Sequence, residues 1–192
     1  KYNPVRLINS RYFLIKKKVG SWLPKKLINK RKVIILGSGK NLYKNLEKIE
    51  KKIINENLFV ISLNAFKSIK EKLINLRVSC HPLRIFSDKN RFKKLKNTFI
   101  IPYSSMKPDL RKIFLKNKIN FLDYGLKFKN QVEVKKNFCT LPFPLALGYS
   151  LAISIAGNAK SIVVAGFDGY EKSDHANDQT SILLKIFKKK FK

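Results

Sequence analysis

Three observations in the amino-acid sequence predict an α/β protein with a doubly wound, mostly parallel sheet and helices on both faces. Short β-branched runs alternate with helical patterns at the spacing of βαβ units. Two of these runs, residues 33–36 and 162–165, are unbroken apolar segments of the kind buried on both faces of a parallel sheet. One stretch, residues 137–159, carries no charge in a chain that otherwise places one every few positions.

The elements follow in order. Residues 1–32 are rich in Lys and Arg and are interrupted by Pro4, Gly20 and Pro24, which predicts a basic arm or linker with a short amphipathic turn over residues 14–19. Residues 33–192 form the α/β domain. Its first strand, Val33-Ile34-Ile35-Leu36, meets a glycine turn, and Leu42, Leu46, Ile49 and Ile53 then mark a helix over residues 41–54. Strands are expected at 58–62, 77–80, 98–101, 119–122 and 161–165. Helices are expected at 66–76, 89–96, 108–115, 144–156 and 177–189, with Pro108 and Asp109 opening the third and Gly157-Asn158 closing the fourth. Residues 127–137 read as a polar, Lys-rich excursion. The charge-free stretch contains Pro142, Pro144, Gly148, Ser150, Ser154 and Gly157, too many interruptions for a lipid-facing span, so it is expected to be the buried centre of the fold.

Composition narrows the function. Against 42 Lys and Arg stand 12 Asp and Glu, a formal net charge of +30, but only seven of the basic residues are Arg. Lys alternating with Ile, Asn and Phe is what an AT-rich genome writes at solvated positions. No RNP motif, zinc finger or aromatic stripe among Arg residues accompanies the charge, which disfavours nucleic acid as the partner. An anionic membrane surface is a second partner that the basic arm would suit. Cys80 and Cys139 lie far apart without a C-x-x-C pair, which argues against a zinc ribbon or a disulfide scaffold and fits a reducing cytoplasm. The start lacks the apolar core and cleavage site of a signal peptide. A chain beginning at Lys1 rather than Met reads as a fragment or as one domain of a longer protein.

In parallel sheets, ligands sit beyond the carboxyl ends of the strands. After the first strand come Gly37, Ser38, Gly39, Lys40 and Asn41, a turn whose free amides and following helix suit a phosphate, or an ordinary βα turn; neither G-x-G-x-x-G nor G-x-x-x-x-G-K-[ST] is matched. After the second comes Asn64, which either caps the next helix or presents its amide to a base or ribose. After the third come His81 and Arg84, with Pro82 holding His81 extended; His81 is a candidate for ligand contact or proton transfer, or a structural turn residue. After the strand at 161–165 come Gly166 and Asp168, then Glu171, Asp174, His175 and Asp178. Four of the twelve acids fall within eleven residues there. Asp168, between two glycines, is suited to orient ribose hydroxyls, to bind Mg²⁺ or to act as a general base, whereas Asp174 and Asp178 suit a helix entry.

The run V-I-I-L-G-S-G-K-N-L, then V-I-S-L-N-A-F, C-H-P-L-R, a long helix and S-I-V-V-A-G-F-D-G-Y, resembles the Rossmann-like domain shared by 6-hydroxymethylpterin diphosphokinase (MptE-like) proteins and glycosyltransferase family 42 sialyltransferases. It is most similar to the version appended to an aldolase-type barrel in proteins of bacterial surface-carbohydrate loci. The resemblance covers roughly residues 31–189 and implies a nucleotide or nucleotide-sugar ligand, with Gly37, Ser38 and Gly39 as the first glycine turn, Asn64 as the asparagine after the second strand, and Gly166 with Asp168 as the G-x-D element. It also implies a fused or associated aldolase-type domain and, for diphosphokinase-like chemistry, Mg²⁺. The chain departs from the family at Lys40-Asn41, where Pro-Ser is usual, and at Leu141-Pro142-Phe143-Pro144, where a Thr, Ser and Gly-rich segment is usual. The sialyltransferases' catalytic histidine lies well beyond the G-x-D element, so no catalytic role passes to His175.

The resulting expectation is a nucleotide-binding transferase, or a transferase-derived domain, of bacterial surface-carbohydrate synthesis. Phosphates would lie over the first glycine turn, Lys40 or Arg84 would neutralise a leaving phosphate, and Asp168 would face the ribose or a metal. The alternative is a non-catalytic binding or scaffolding domain of a larger enzyme.

Overall fold

A computed structural model describes residues 19–66, 69–116, 118–168 and 175–191. Residues 14–18 of the expected amphipathic turn, and Glu171 and Asp174, lie outside the described residues. The main sheet contains β1 (Lys32–Leu36), β2 (Phe59–Leu63), β3 (Leu76–Val78), β4 (Phe99–Ile101), β5 (Phe121–Asp123) and β9 (Ser161–Ala165), in the order β5-β4-β3-β2-β1-β9. Every neighbouring pair is parallel. Between β5 and β9 the chain builds a small sheet of β6 (Gly125–Phe128), β7 (Glu133–Val134) and β8 (Phe138–Leu141), ordered β6-β8-β7.

Both faces of the main sheet are covered, because side chains alternate along each strand. Val33 and Ile35 of β1 pack with Tyr149 to Ile153 of α7 (Ala146–Ala156) and with Leu183 and Phe187 of α8 (His175–Lys190), while Ile34 and Leu36 turn to the other face with Leu42 and Ile53. That second face carries α2 (Lys40–Lys44) and α3 (Leu46–Asn55) over β1 and β2. Over β4 and β5 it carries α4 (Pro82–Ser87), α5 (Lys89–Phe92) and α6 (Pro108–Lys116) through Ile85, Phe92 and Phe114. The fold is a doubly wound, Rossmann-like α/β sheet. The charge-free stretch is its buried centre, with residues 147–154 of α7 all buried. Among the described residues no helix is long and apolar enough to cross a membrane.

Besides an unexpected helix α4 and a helix expected over 89–96 that ends at Phe92, the elements differ from expectation in five places. The helix expected over 41–54 is two, α2 and α3, broken at Asn45, whose φ of −122° leaves the helical region. Among the described residues, 66–76, expected to be helical, hold a 3-10 turn at Glu71–Leu73 before β3 begins, and the Arg77 guanidinium engages the carbonyls of Asn64 and Phe66 and the Glu71 carboxylate. The Lys-rich excursion contains β7 and the end of β6. Residues 19–31, read with the arm, are packed: Trp22 and Ile28 are buried in the core, and Pro24 opens the short helix α1 (Lys25–Ile28) rather than breaking the chain. Finally, β9 is an edge strand with Val163 41% and Val164 38% exposed, so its apolar run is not enclosed on both faces as expected.

Candidate functional site

The carboxyl ends of the parallel strands place the strand-end residues along one edge of the sheet. From β1 the chain moves through α2 and α3 toward β2 on one face, and it reaches β9 from α7 on the other. The junction of β1 and β9 is therefore the topological switch point, where such sheets open a crevice.

Two loops meet there. The Gly37 N–H donates to the Ala165 carbonyl at 2.8 Å and the Gly39 N–H to the Gly166 carbonyl at 2.8 Å, which extends the β1–β9 ladder into the turns. Gly166 bends the chain with φ +74°, a left-handed conformation that glycine adopts without penalty. Asp168 is thereby brought back over β1, and its Oδ2 accepts the Asn41 N–H at 2.6 Å. The approach is close enough that a Cβ built on Gly39 would lie 2.6 Å from Asp168 Cγ and 2.8 Å from Oδ2. The glycine at 39 is thus required by the carboxylate beside it. The amide expected to receive a phosphate is capped by Asp168 in this structure, while Ser38, Lys40 and Asp168 itself are exposed beside it.

Asn64 ends β2 with φ +55°, a conformation asparagine tolerates better than most residues. Among the described residues it is followed by a turn, and the next helical element, the 3-10 turn at Glu71–Leu73, has Lys70 at its cap position. The Asn64 N–H donates to the Val78 carbonyl at 2.8 Å, and its Oδ1 accepts the Ser79 hydroxyl at 3.0 Å, tying the ends of β2 and β3 together. His81 follows β3 and occupies the cap position of α4 in extended geometry (φ −81°, ψ 118°), as Pro82 requires. Burial, reinforced by the Arg84 guanidinium, holds the His81 imidazole below its ordinary pKa, so it is neutral at pH 7. Arg84 is exposed and faces Asp88, with Nε 4.0 Å from Oδ2.

The structure thus brings Gly37, Ser38, Gly39, Lys40 and Asn41 together with Gly166 and Asp168, and sets Asn64 one strand away. His81 follows β3, three strand spacings from β9 (about 14 Å at ~4.8 Å per spacing) and two from β1, over which Asp168 lies. The buried thiols of Cys80 and Cys139 are pushed up in pKa by desolvation, which withholds the thiolate a nucleophile needs. Among the described residues no three His, Cys, Asp or Glu side chains gather as a metal centre.

Two residues that shape this edge were missed by sequence reasoning. Arg77, fully buried on β3, donates to Ser62 Oγ, to the carbonyls of Asn64 and Phe66, to Asn97 Oδ1 and to the Glu71 carboxylate, with the closest ion-pair contact at 2.8 Å. An arginine inside the run Leu76-Arg77-Val78 was the available signal, because a buried guanidinium must find partners for its donors. Asp123, buried at the end of β5, accepts the Ser104 N–H at 3.0 Å, the Ser104 hydroxyl and the Ser21 N–H at 3.3 Å, fastening the turn after β4 and the chain before α1.

Fold and site together define a doubly wound α/β protein whose β1 glycine turn and Gly166-Phe167-Asp168 loop meet at the switch point. No protein-family model, curated protein or solved structure matches the chain.

Proposed function

We propose that the chain is a nucleotide-binding domain, a transferase or transferase-derived module of bacterial surface-carbohydrate synthesis, with its ligand in the crevice between β1 and β9. The observation that carries this reading is the meeting of two glycine-bearing loops at the switch point, with an exposed carboxylate at its mouth. Asp168 accepts the Asn41 amide through Oδ2, and its carboxylate has further lone pairs with which to accept ribose hydroxyls. Ser38 and Lys40 border the same opening, Lys40 as a counter-charge for phosphate. A phosphate seated on the Asn41 amide itself requires the Asp168 side chain to rotate away. His81, neutral and about 14 Å from β9, serves the far end of a ligand lying along the edge, over Asn64, rather than the chemistry at Asp168.

A second reading, a non-catalytic binding or scaffolding domain, is favoured by one observation: the Asp168 carboxylate already satisfies the amide at the glycine turn. Calorimetry with CMP, ATP and a CMP-sugar separates the outcomes. Binding weakened by Asp168→Ala, together with turnover of one ligand, supports the transferase; binding without turnover supports the scaffold. No heat from any nucleotide at millimolar concentration would sink the nucleotide reading.

A further inference from the structure

We propose that the outer face of the α4–α6 layer is a docking surface for an anionic lipid bilayer. Residues 82–118 hold eleven Lys and Arg against two acids, Asp88 and Asp109, and of the basic residues Arg111 is turned to the carbonyls of Ser104 and Met106. Asp88 is buried and already faces Arg84 and Arg91, at 4.0 and 3.7 Å. The α3 surface, in contrast, mixes its lysines with Glu47, Glu50 and the following Glu56 and neutralises part of its own field.

Charge alone does not choose between lipid and nucleic acid; the apolar groups do. Leu83 and Phe86, one turn apart on α4, stand 42% and 54% exposed, and Leu115 on α6 stands 63% exposed. Lys89 places its ammonium 4.5 Å from the centre of the Phe86 ring. Leucine side chains held out among lysines gain nothing from a phosphodiester backbone. A bilayer interface rewards both kinds of group at once, taking the apolar tips into the acyl boundary while the cations meet anionic headgroups. The α4, α5 and α6 helices share the Ile85–Phe92–Phe114 core, so these groups are presented by one packed layer. This inference does not depend on the nucleotide reading.

The test is co-sedimentation of the full chain with vesicles of phosphatidylcholine alone and of phosphatidylcholine mixed with phosphatidylglycerol, beside binding to a single-stranded oligonucleotide. Expected is binding to the phosphatidylglycerol vesicles only, falling with salt, and weakened about tenfold by Leu83→Ser with Phe86→Ser. Lys89→Glu with Lys93→Glu should weaken vesicle binding further, and oligonucleotide binding should not follow the apolar variant. Both apolar side chains are solvent-exposed, so unchanged thermal melting is the control for folding, and Leu115→Ser supplies an independent apolar deletion. No vesicle binding, or vesicle binding indifferent to all three variants as an arm-mediated attachment would be, overturns the proposal. So does an apolar variant that lowers oligonucleotide and vesicle affinity equally.

Discussion

The contact between Asp168 and the glycine turn predicts a thermodynamic coupling that a double-mutant cycle can read. Asp168→Ala removes a carboxylate that caps the Asn41 amide, which costs about 1 kcal/mol by analogy with other N-cap deletions. Gly39→Ala meets no backbone penalty, because Gly39 has φ −69° and ψ 154°, an extended conformation open to alanine. Its added Cβ falls 2.6 Å from Asp168 Cγ, however, so the carboxylate must leave. The same cap is then lost, about 1 kcal/mol, and residual compression adds about 1 kcal/mol more. The preference for Gly over Ala at a cap position and the entropy lost by the unfolded chain oppose each other and roughly cancel. In the double variant the obstruction is gone, so the cost returns to about 1 kcal/mol rather than the ~3 kcal/mol of simple addition. For a chain of this length, each kcal/mol moves Tm by about 2–4 °C. Urea and thermal unfolding followed by circular dichroism measure all four corners. Additive single effects would refute the placement of Asp168 over Gly39.

Two further predictions concern the neighbouring strands. Arg77→Met leaves the Glu71 carboxylate and the Asn64 and Phe66 carbonyls without their shared donor, and should lower stability by about 3–5 kcal/mol in chemical denaturation; a loss below about 1 kcal/mol would show that those groups find water instead. His81 should titrate below its ordinary value of 6.5 in NMR, and Arg84→Ala should raise its pKa only part of the way back, because burial is the larger cause and Arg84 the smaller. With the folded-state pKa depressed, the unfolded chain binds the extra proton. The contribution of His81 to stability is therefore complete above pH ~6.5 and is lost as pH falls from there through the depressed folded-state pKa, a slope that His81→Gln should flatten.

The parts of the fold legible in sequence are those whose pattern is set by burial on both faces. β1, β2 and β4 are short apolar runs between turn residues, and α7 is the charge-free stretch, so each is visible without knowing its neighbours. Elements decided by distant partners were not. Residues 66–76 have helical spacing, yet Arg77 binds the Phe66 carbonyl and the Glu71 carboxylate from β3, contacts that no local pattern encodes. The small sheet was hidden because Lys127 and Glu133 sit on strands too short to display an alternation. The apolar sequence of β9 predicts a strand correctly but not its position, since an edge strand and a central one read alike until the order of the sheet is known. At the site, the glycines and Asp168 were legible as a concentration of unusual residues. That the carboxylate caps the glycine turn was not, because residues 41 and 168 become neighbours only when β9 pairs with β1.

The scarcity of acids in this chain acquires a physical meaning from where three of them sit. Asp123 satisfies the backbone amides of Ser21 and Ser104, Glu71 faces the buried guanidinium of Arg77, and Asp168 satisfies the amide of Asn41. Each answers a donor that the surplus of lysines cannot serve, because an ammonium accepts no hydrogen bond. Lysine can therefore accumulate at solvated positions without loss, whereas a carboxylate exchanged for lysine at any of these three places would leave a donor unpaired and set a cation beside it. Two of the three, Asp123 and Asp168, fasten loops at the carboxyl edge of the sheet, at its two opposite ends. They differ in exposure: Asp123 is enclosed by the groups it holds, while Asp168 is open to solvent at the switch point. A fastening role explains why an acid stands at 168 in so basic a chain. The exposure of its carboxylate is what would let the same residue accept hydrogen bonds from the ligand proposed to enter between β1 and β9.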